Sequence, residues 1–167
     1  MNFTAIDFET ATAKRYSACA VGITTIENGK IIDEYNALIQ PPNNEYSYYN
    51  IKVHGITEND TANALIFPDV YPEIKKRLAG QTIVAHNESF DRSVLKKTME
   101  YYHLDYSELG ISDQWECTLK IYRKKGYHPA TLDVCCKRQG IQLNHHEALS
   151  DARGCAMLYL KNSHGKN

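Results

Sequence analysis

Two carboxylates, Asp7 and Glu9, stand two residues apart after the apolar run Phe3 to Ile6. Residues i and i+2 of a strand project from one face, so both acids point to one place. Two adjacent carboxylates resist sharing a desolvated site unless a cation or a proton neutralises them. On an ordinary surface strand such a pair is only solvated charge. At the end of a central strand it falls where sites gather in open α/β sheets. A third acid, Asp91, follows the apolar run Thr82 to His86 by five residues. It falls in the first turns of a helix, where an acid also favours the positive end of the helix dipole. A fourth, Asp151, lies five residues after His146. Five helical steps of ~100° would set those two about 140° apart. They converge only if His146 is on the loop before the helix and Asp151 is just inside it.

The elements that must position these residues follow from pattern. Residues 2–8 read as a short buried strand. Residues 17–27 and 30–40 flank Asn28-Gly29, the strongest short-range hairpin signal. Residues 41–50 read as a loop by their Pro and Asn content. A helix is expected from an Asp69 N-cap to Leu78, with Pro72 in its first turn and Gly80 closing it. Residues 82–86 form an apolar strand, and 89–102 carry helical periodicity. A weaker strand lies within 111–117, and helices follow at about 118–125, 131–139 and 147–160. The order β-β-β-α-β-α-β-α-α-α predicts an α/β fold, a mixed sheet flanked by helices. A length of 167 residues, 43% hydrophobic and 23% charged, predicts a single domain over 1–167. It excludes a disordered or collagen-like chain.

IDFET (Ile6 to Thr10), HNESFD (His86 to Asp91) and HHEALSDA (His145 to Ala152) resemble the three exonuclease motifs of the DEDD superfamily, in the subgroup that carries a histidine in the last motif. The chain is most similar to the epsilon-subunit-like exonucleases of bacterial DNA polymerase III, with ribonuclease T and oligoribonuclease as relatives. Val53 to Thr57 resembles the HGIT signature of the same group. The resemblance spans about residues 2–160 and implies a ribonuclease H-like fold with a central five-stranded sheet. It implies 3′→5′ hydrolysis of nucleic acid ends, releasing nucleoside 5′-monophosphates. It further implies that Asp7, Glu9, Asp91 and Asp151 hold two divalent metal ions and that His146 is the general base. Phe8, Thr10, Val53, His54 and Phe90 would contact substrate. The chemistry is consistent with that set. A phosphodiester is already anionic, and two hard cations ~3.5–4 Å apart clamp the attacking and leaving oxygens. Mg²⁺ or Mn²⁺ suits carboxylate ligands, and a neutral imidazole removes the water's proton. Departures exist: Thr10 to Ala13 stand where the family often carries a glycine, so the loop around the terminal nucleotide is expected to differ.

The remaining signals are weaker. His54 alone reads as a turn histidine, and Phe90 reads equally as core or as a base-stacking ring. Tyr46, Tyr48 and Tyr49 suit base stacking or a folded-down loop. Cys135-Cys136 with His145-His146 invites a zinc site, but the spacing fits no ligand pair. His145, outside the motif spacing, is expected to be dispensable. Six basic residues between Cys117 and Arg138 face one acid, Asp133, either a solvated helix face or a phosphate-facing patch. Net charge is −1, which argues for gripping a short end rather than coating long nucleic acid. The expected partners are single-stranded DNA or RNA 3′ ends. An RNase acting on short RNA or RNA 3′ ends is one alternative, and a catalytically idle end-binding module is another. The longest uncharged stretch, Tyr16 to Ile26, is too short for a membrane span, and five cysteines without a CxxC pair predict free thiols. A cytoplasmic location is therefore expected. No polymerase-binding tail is evident after the last helix.

Overall fold

The computed structural model describes residues 1–164. Five strands form one mixed sheet in the order β3-β2-β1-β4-β5: β1 Phe3–Thr10, β2 Ala18–Glu27, β3 Lys30–Leu38, β4 Ile83–Ala85 and β5 Glu116–Cys117. The first three pair antiparallel, whereas β4 joins β1, and β5 joins β4, in parallel. Asn28 and Gly29 take positive φ of 50° and 75°, the left-handed pair that a tight hairpin between twisted strands needs. Among the described residues seven α-helices flank and connect these strands: α1 Tyr48–His54, α2 Glu58–Thr61, α3 Phe67–Leu78, α4 Glu88–Tyr101, α5 Thr118–Lys124, α6 Leu132–Arg138 and α7 Ala148–His164. Among the described residues no helix is long and apolar enough to cross a membrane.

Central β1 is covered on both faces, and its side-chain parity decides what meets what. Ile6 and Phe8 pack in a core with Ile74, Leu78, Val94 and Leu95 of α3 and α4. Phe3 and Ala5 pack in a second core with Cys135, Cys155, Ala156 and Leu158 of α6 and α7. Asp7 and Glu9 share the parity of Phe3 and Ala5, so they continue that second face toward α7.

Three expectations need correction. The segment read as a loop over 41–50 ends in helix α1, capped by Ser47, whose side chain accepts from the Asn50 N–H, and closed by Gly55 at φ 76°. One seven-residue helix opening with two tyrosines carries too little periodicity to be seen. The four-residue α2 was missed as well, although Thr57 and Asp60 form a capping box. Helix α3 begins at Phe67 with Pro68 in its first turn, where proline's missing N–H costs nothing, so Asp69 is not its cap and Pro72 lies inside it.

Gly22 of β2 stands opposite Asp7 in the register and directly beneath the start of α7. A Cβ there would lie 2.2 Å from the Ala148 carbonyl carbon and oxygen and 2.3 Å from the Leu149 nitrogen. That close backbone approach is what an isolated strand glycine permits. Gly22→Ala is expected to destabilise the protein by ~1–3 kcal/mol, read as a lower urea midpoint at unchanged slope. An unchanged midpoint would contradict this docking.

Candidate active site

Asp7 and Glu9 leave the end of β1 on the α7 face, and α7 meets them with Asp151. A carboxylate oxygen from each of these three lies within 4.8 Å of the others. Glu9 is 8% exposed and Asp151 3%. Asp7 Oδ2 is buried without a hydrogen-bond partner, a costly state for a carboxylate oxygen.

Asp91 arrives from the opposite face by way of a backbone vacancy. The Thr4 N–H donates to the Thr82 carbonyl on the β4 side. Phe8, four residues on, presents its N–H to the same side, but β4 has ended at Ala85. Asp91 Oδ1 accepts that N–H at 2.8 Å. The turn into α4 is made by Asn87 at φ 68°, a left-handed position asparagine tolerates. Asp91 is 1% exposed and stands outside the three-carboxylate cluster, next to it electrostatically. Glu88, also buried, is matched by Lys120 Nζ at 2.6 Å and Arg92 at 3.2 Å.

The start of α7 has the geometry its motif demands. His146 lies on the loop at φ 68°, and Asp151 sits in the first turn of the helix. The His146 backbone N–H donates to Asp151 Oδ2 at 3.0 Å. The His146 ring stacks on His145 with centroids 3.7 Å apart. His145 Nδ1 lies 3.1 and 3.2 Å from the two Asp151 oxygens, so the residue expected to be dispensable braces a carboxylate. Nothing in the motif spacing signalled that contact.

All four acids are pushed toward protonation. Burial, then the neighbouring charges of Asp91, Glu9 and Asp151, hold Asp7 well above the usual carboxylate range. Burial and the charges of Asp151 and Asp91 lift Glu9 to about 8. Burial lifts Asp91 to about 8 against the opposing Phe8 hydrogen bond, and burial also raises Asp151. Burial and the charge of His145 lower His146, which keeps its ring neutral. The orphaned Asp7 oxygen and the all-oxygen donor set fit a hard divalent cation, which ionised carboxylates would hold.

The cleft above the acids, about 360 Å³, is lined by His146, Phe90, His86 and Arg123 among others. Arg123 belongs to the basic segment and brings one of its charges to the cleft. His86 was read as a strand end and the first residue of the HNESFD motif, with no role of its own. Its ring nitrogens lie 2.9 Å from Thr118 Oγ1 and 3.0 Å from the Ala130 carbonyl, tying β4 to α5, and burial lowers its pKa to about 4. Of the residues expected to touch substrate, Phe90 lines the cleft, and Phe8 does so with a side chain only 2% exposed. Thr10 is turned inward, its carbonyl accepting from Asn50 Nδ2 and His54 Nε2 at 2.9 Å each. The Ile56 N–H donates to His54 Nδ1, so both nitrogens of His54 are used and its ring fastens α1 to the end of β1. Val53 is exposed on α1. Cys135 and Cys136 are buried free thiols in the core between α6 and α7.

The RNase_T family model, described as an exonuclease, matches residues 4–159. The chain is 32% identical over 166 residues to DNA polymerase III PolC-type proteins of Thermotoga petrophila and Thermotoga maritima. Those matches cover 95% of this chain and 12% of each relative, so the chain spans about an eighth of their length. Among solved structures, exonuclease X in complex with 5′ overhanging duplex DNA superposes with a TM-score of 0.77 at 24% identity, over 98% of this chain and 92% of that one. The nuclease domain of 3′hExo, a DEDDh family member bound to rAMP, gives 0.81 at 17% identity, over 99% and 92%. At these identities the likeness speaks to the fold, which is ribonuclease H-like.

The raised acids set a pH dependence for the metal-free protein. Glu9 moves from its ordinary 4.5 to about 8 on folding, so between those values the native state binds more protons than the unfolded one. Stability from this group therefore falls as pH rises through that window and is flat above it. In excess chelator, Glu9→Gln should melt above the wild type at pH 8.5, with the gap closing toward pH 5. A wild type that melts higher at pH 8.5 would contradict the placement of Glu9.

Proposed function

Since the chain belongs to the exonuclease family, among the DEDD-superfamily 3′→5′ exonucleases, we propose that it removes nucleotides from the 3′ ends of single-stranded nucleic acid. The products are nucleoside 5′-monophosphates. Asp7, Glu9, Asp91 and Asp151 hold two Mg²⁺ or Mn²⁺ ions, and His146 is the general base. The reading includes a single exonuclease domain working in the cytoplasm. The observation that carries it is the convergence of Asp7, Glu9 and Asp151 within 4.8 Å beside a histidine that burial keeps neutral.

When bound, the ions supply the positive charge that an anionic phosphate and its attacking and leaving oxygens need. The chain's own groups do the rest. His146, anchored through its backbone on Asp151 and its ring on His145, takes a proton from the attacking water. Asp151 is oriented by the His146 N–H and by His145. Asp91 is oriented by the Phe8 N–H, which is how Phe8 serves the site despite its buried ring. Phe90 and Val53 offer apolar surface to the terminal base. Thr10 and His54 act from behind the cleft, holding α1 to the end of β1 through their mutual hydrogen bond.

Chelation should abolish shortening of a 3′-labelled oligonucleotide, and Mg²⁺ or Mn²⁺ should restore it. Circular single strands should survive. His146→Ala should lower kcat by ~10²-fold or more while keeping cation affinity, and Asp151→Asn should lose both. His145→Ala should lose less than His146→Ala. Rapid cutting of circles, or full activity in chelator, would contradict the reading. A dead His145→Ala beside an active His146→Ala would move the base to His145.

A further inference from the structure

Of the six cations between Cys117 and Arg138, the fold uses one. Lys120 Nζ meets the buried Glu88 at 2.6 Å. Among the described residues, Arg123, Lys124, Lys125, Lys137 and Arg138 form no ion pair, and all five are exposed. The one acid of the segment, Asp133, offsets a single charge. An aromatic pair joins the C-terminal ends of α5 and α6 into one patch. The Tyr122 and Tyr127 rings meet edge to face at 5.0 Å. Lys125 Nζ lies 5.1 Å from the Tyr122 ring centroid, and the Arg138 guanidinium lies 3.8 Å from that of Tyr127. Cations in a last turn also suit the helix dipole, but that role needs no contact with the cleft, and Arg123 lines it.

The sheet order connects the acids to this patch. Strand β1, which carries Asp7 and Glu9, has β2 on one side and β4 then β5 on the other. The groups given to the terminal nucleotide stand toward β2. His54 there lies 2.9 Å from the Thr10 carbonyl and 3.9 Å from Cys19 Sγ of β2, and Arg15 of the loop after β1 covers the Phe90 ring at 4.5 Å. Toward β5 the same cavity runs from the acids past His86 and Asn87, which follow β4, to Leu119 and Arg123 of α5. Lys124 and Lys125 come directly after Arg123. A strand whose last base rests against Val53 and Phe90 therefore leaves the acids toward α5.

We propose that the C-terminal ends of α5 and α6 bind backbone phosphates of the substrate strand on the 5′ side of the scissile bond, beginning at Arg123 and continuing over Lys124, Lys125 and Arg138. The inference rests on the exonuclease reading and deepens it. Contacts from exposed cations to phosphate position a strand and carry no sequence information, so the grip is the same for every base sequence. It is also local, which suits a chain whose net charge is −1.

The test compares a dinucleotide with an octanucleotide, both single-stranded. A dinucleotide has one phosphodiester, which the acids take, so no phosphate is left for the patch. Wild-type KM should be at least about fivefold lower for the octamer and should rise with salt. Lys124→Gln/Lys125→Gln should raise the octamer KM at least about fivefold while leaving kcat and the dinucleotide KM unchanged. It should also flatten the plot of log KM against log salt by about 1.4, at ~0.7 per phosphate contact on a single strand. Lys124→Arg/Lys125→Arg, which keeps both charges, should behave as the wild type. Equal losses on dinucleotide and octamer, or an unchanged salt slope, overturn the proposal. So does an effect confined to duplex ends, which would put the opposite strand on the patch. A wild type that shortens strands with one KM at both lengths overturns the patch alone. A wild type that shortens no strand instead overturns the exonuclease reading itself.

Discussion

Buried like charge at the end of β1 is the constraint to which the rest of the structure answers. Desolvation raises Asp7, Glu9, Asp91 and Asp151 together, with neighbouring carboxylate charge adding to it at the first three, and Asp7 Oδ2 has no partner. Left alone, such a cluster would push its elements apart or fill with protons. Three devices from three elements hold it. Gly22 lets the α7 backbone descend onto β2, the early end of β4 frees the Phe8 N–H for Asp91, and the left-handed His146 turns its N–H onto Asp151. Each is a backbone device, and Asp7 keeps an oxygen free for a ligand.

The division of labour between the sheet faces follows from the same point. One face of β1 is given to Ile6 and Phe8 and the α3–α4 core, so the strand is fixed by apolar packing that meets the site at Phe8 and Asp91. The other face begins apolar at Phe3 and Ala5 and turns acidic at Asp7. Helix α7 spans both halves, with Cys155, Ala156 and Leu158 in the core and Asp151 at the acids. Packing along α7 is thereby coupled to the position of a carboxylate. The loop after β1 extends the coupling outward. His54 and Asn50 tie α1 to Thr10, and Ser17 closes the turn that carries Arg15 and Tyr16.

Much of this was legible in the chain. The parity of Asp7 and Glu9, the Asn28-Gly29 hairpin, and the requirement that His146 precede the helix and Asp151 enter it are local rules, and all three hold. Asp91 was legible through its motif, although no local rule says that its carboxylate takes the Phe8 N–H that the end of β4 leaves free. What stayed hidden depends on elements distant in sequence. Gly22 matters only because α7 lands on it, 126 residues before Ala148 in the chain. His145 matters because its ring falls on Asp151 in the folded loop. Tyr16 and Tyr101 stack across a separation that no window of periodicity covers. Helix α1 escaped for a different reason. Seven residues held by one serine cap and a glycine stop have little pattern of their own, and tertiary bonds from Asn50 and His54 supply what propensity lacks.

The central claim is that this acid cluster is built to be neutralised by a divalent cation. Calorimetric titration with Mg²⁺ or Mn²⁺, in buffers of different ionisation enthalpy, tests it without any substrate. Acids lifted to about 8 are largely protonated at pH 7, so cation binding there should expel protons, and the release should shrink as pH rises through 8. Asp7→Asn should lose the binding heat. Failure of the wild type to bind either cation, or binding at pH 7 with no proton released, would contradict the account.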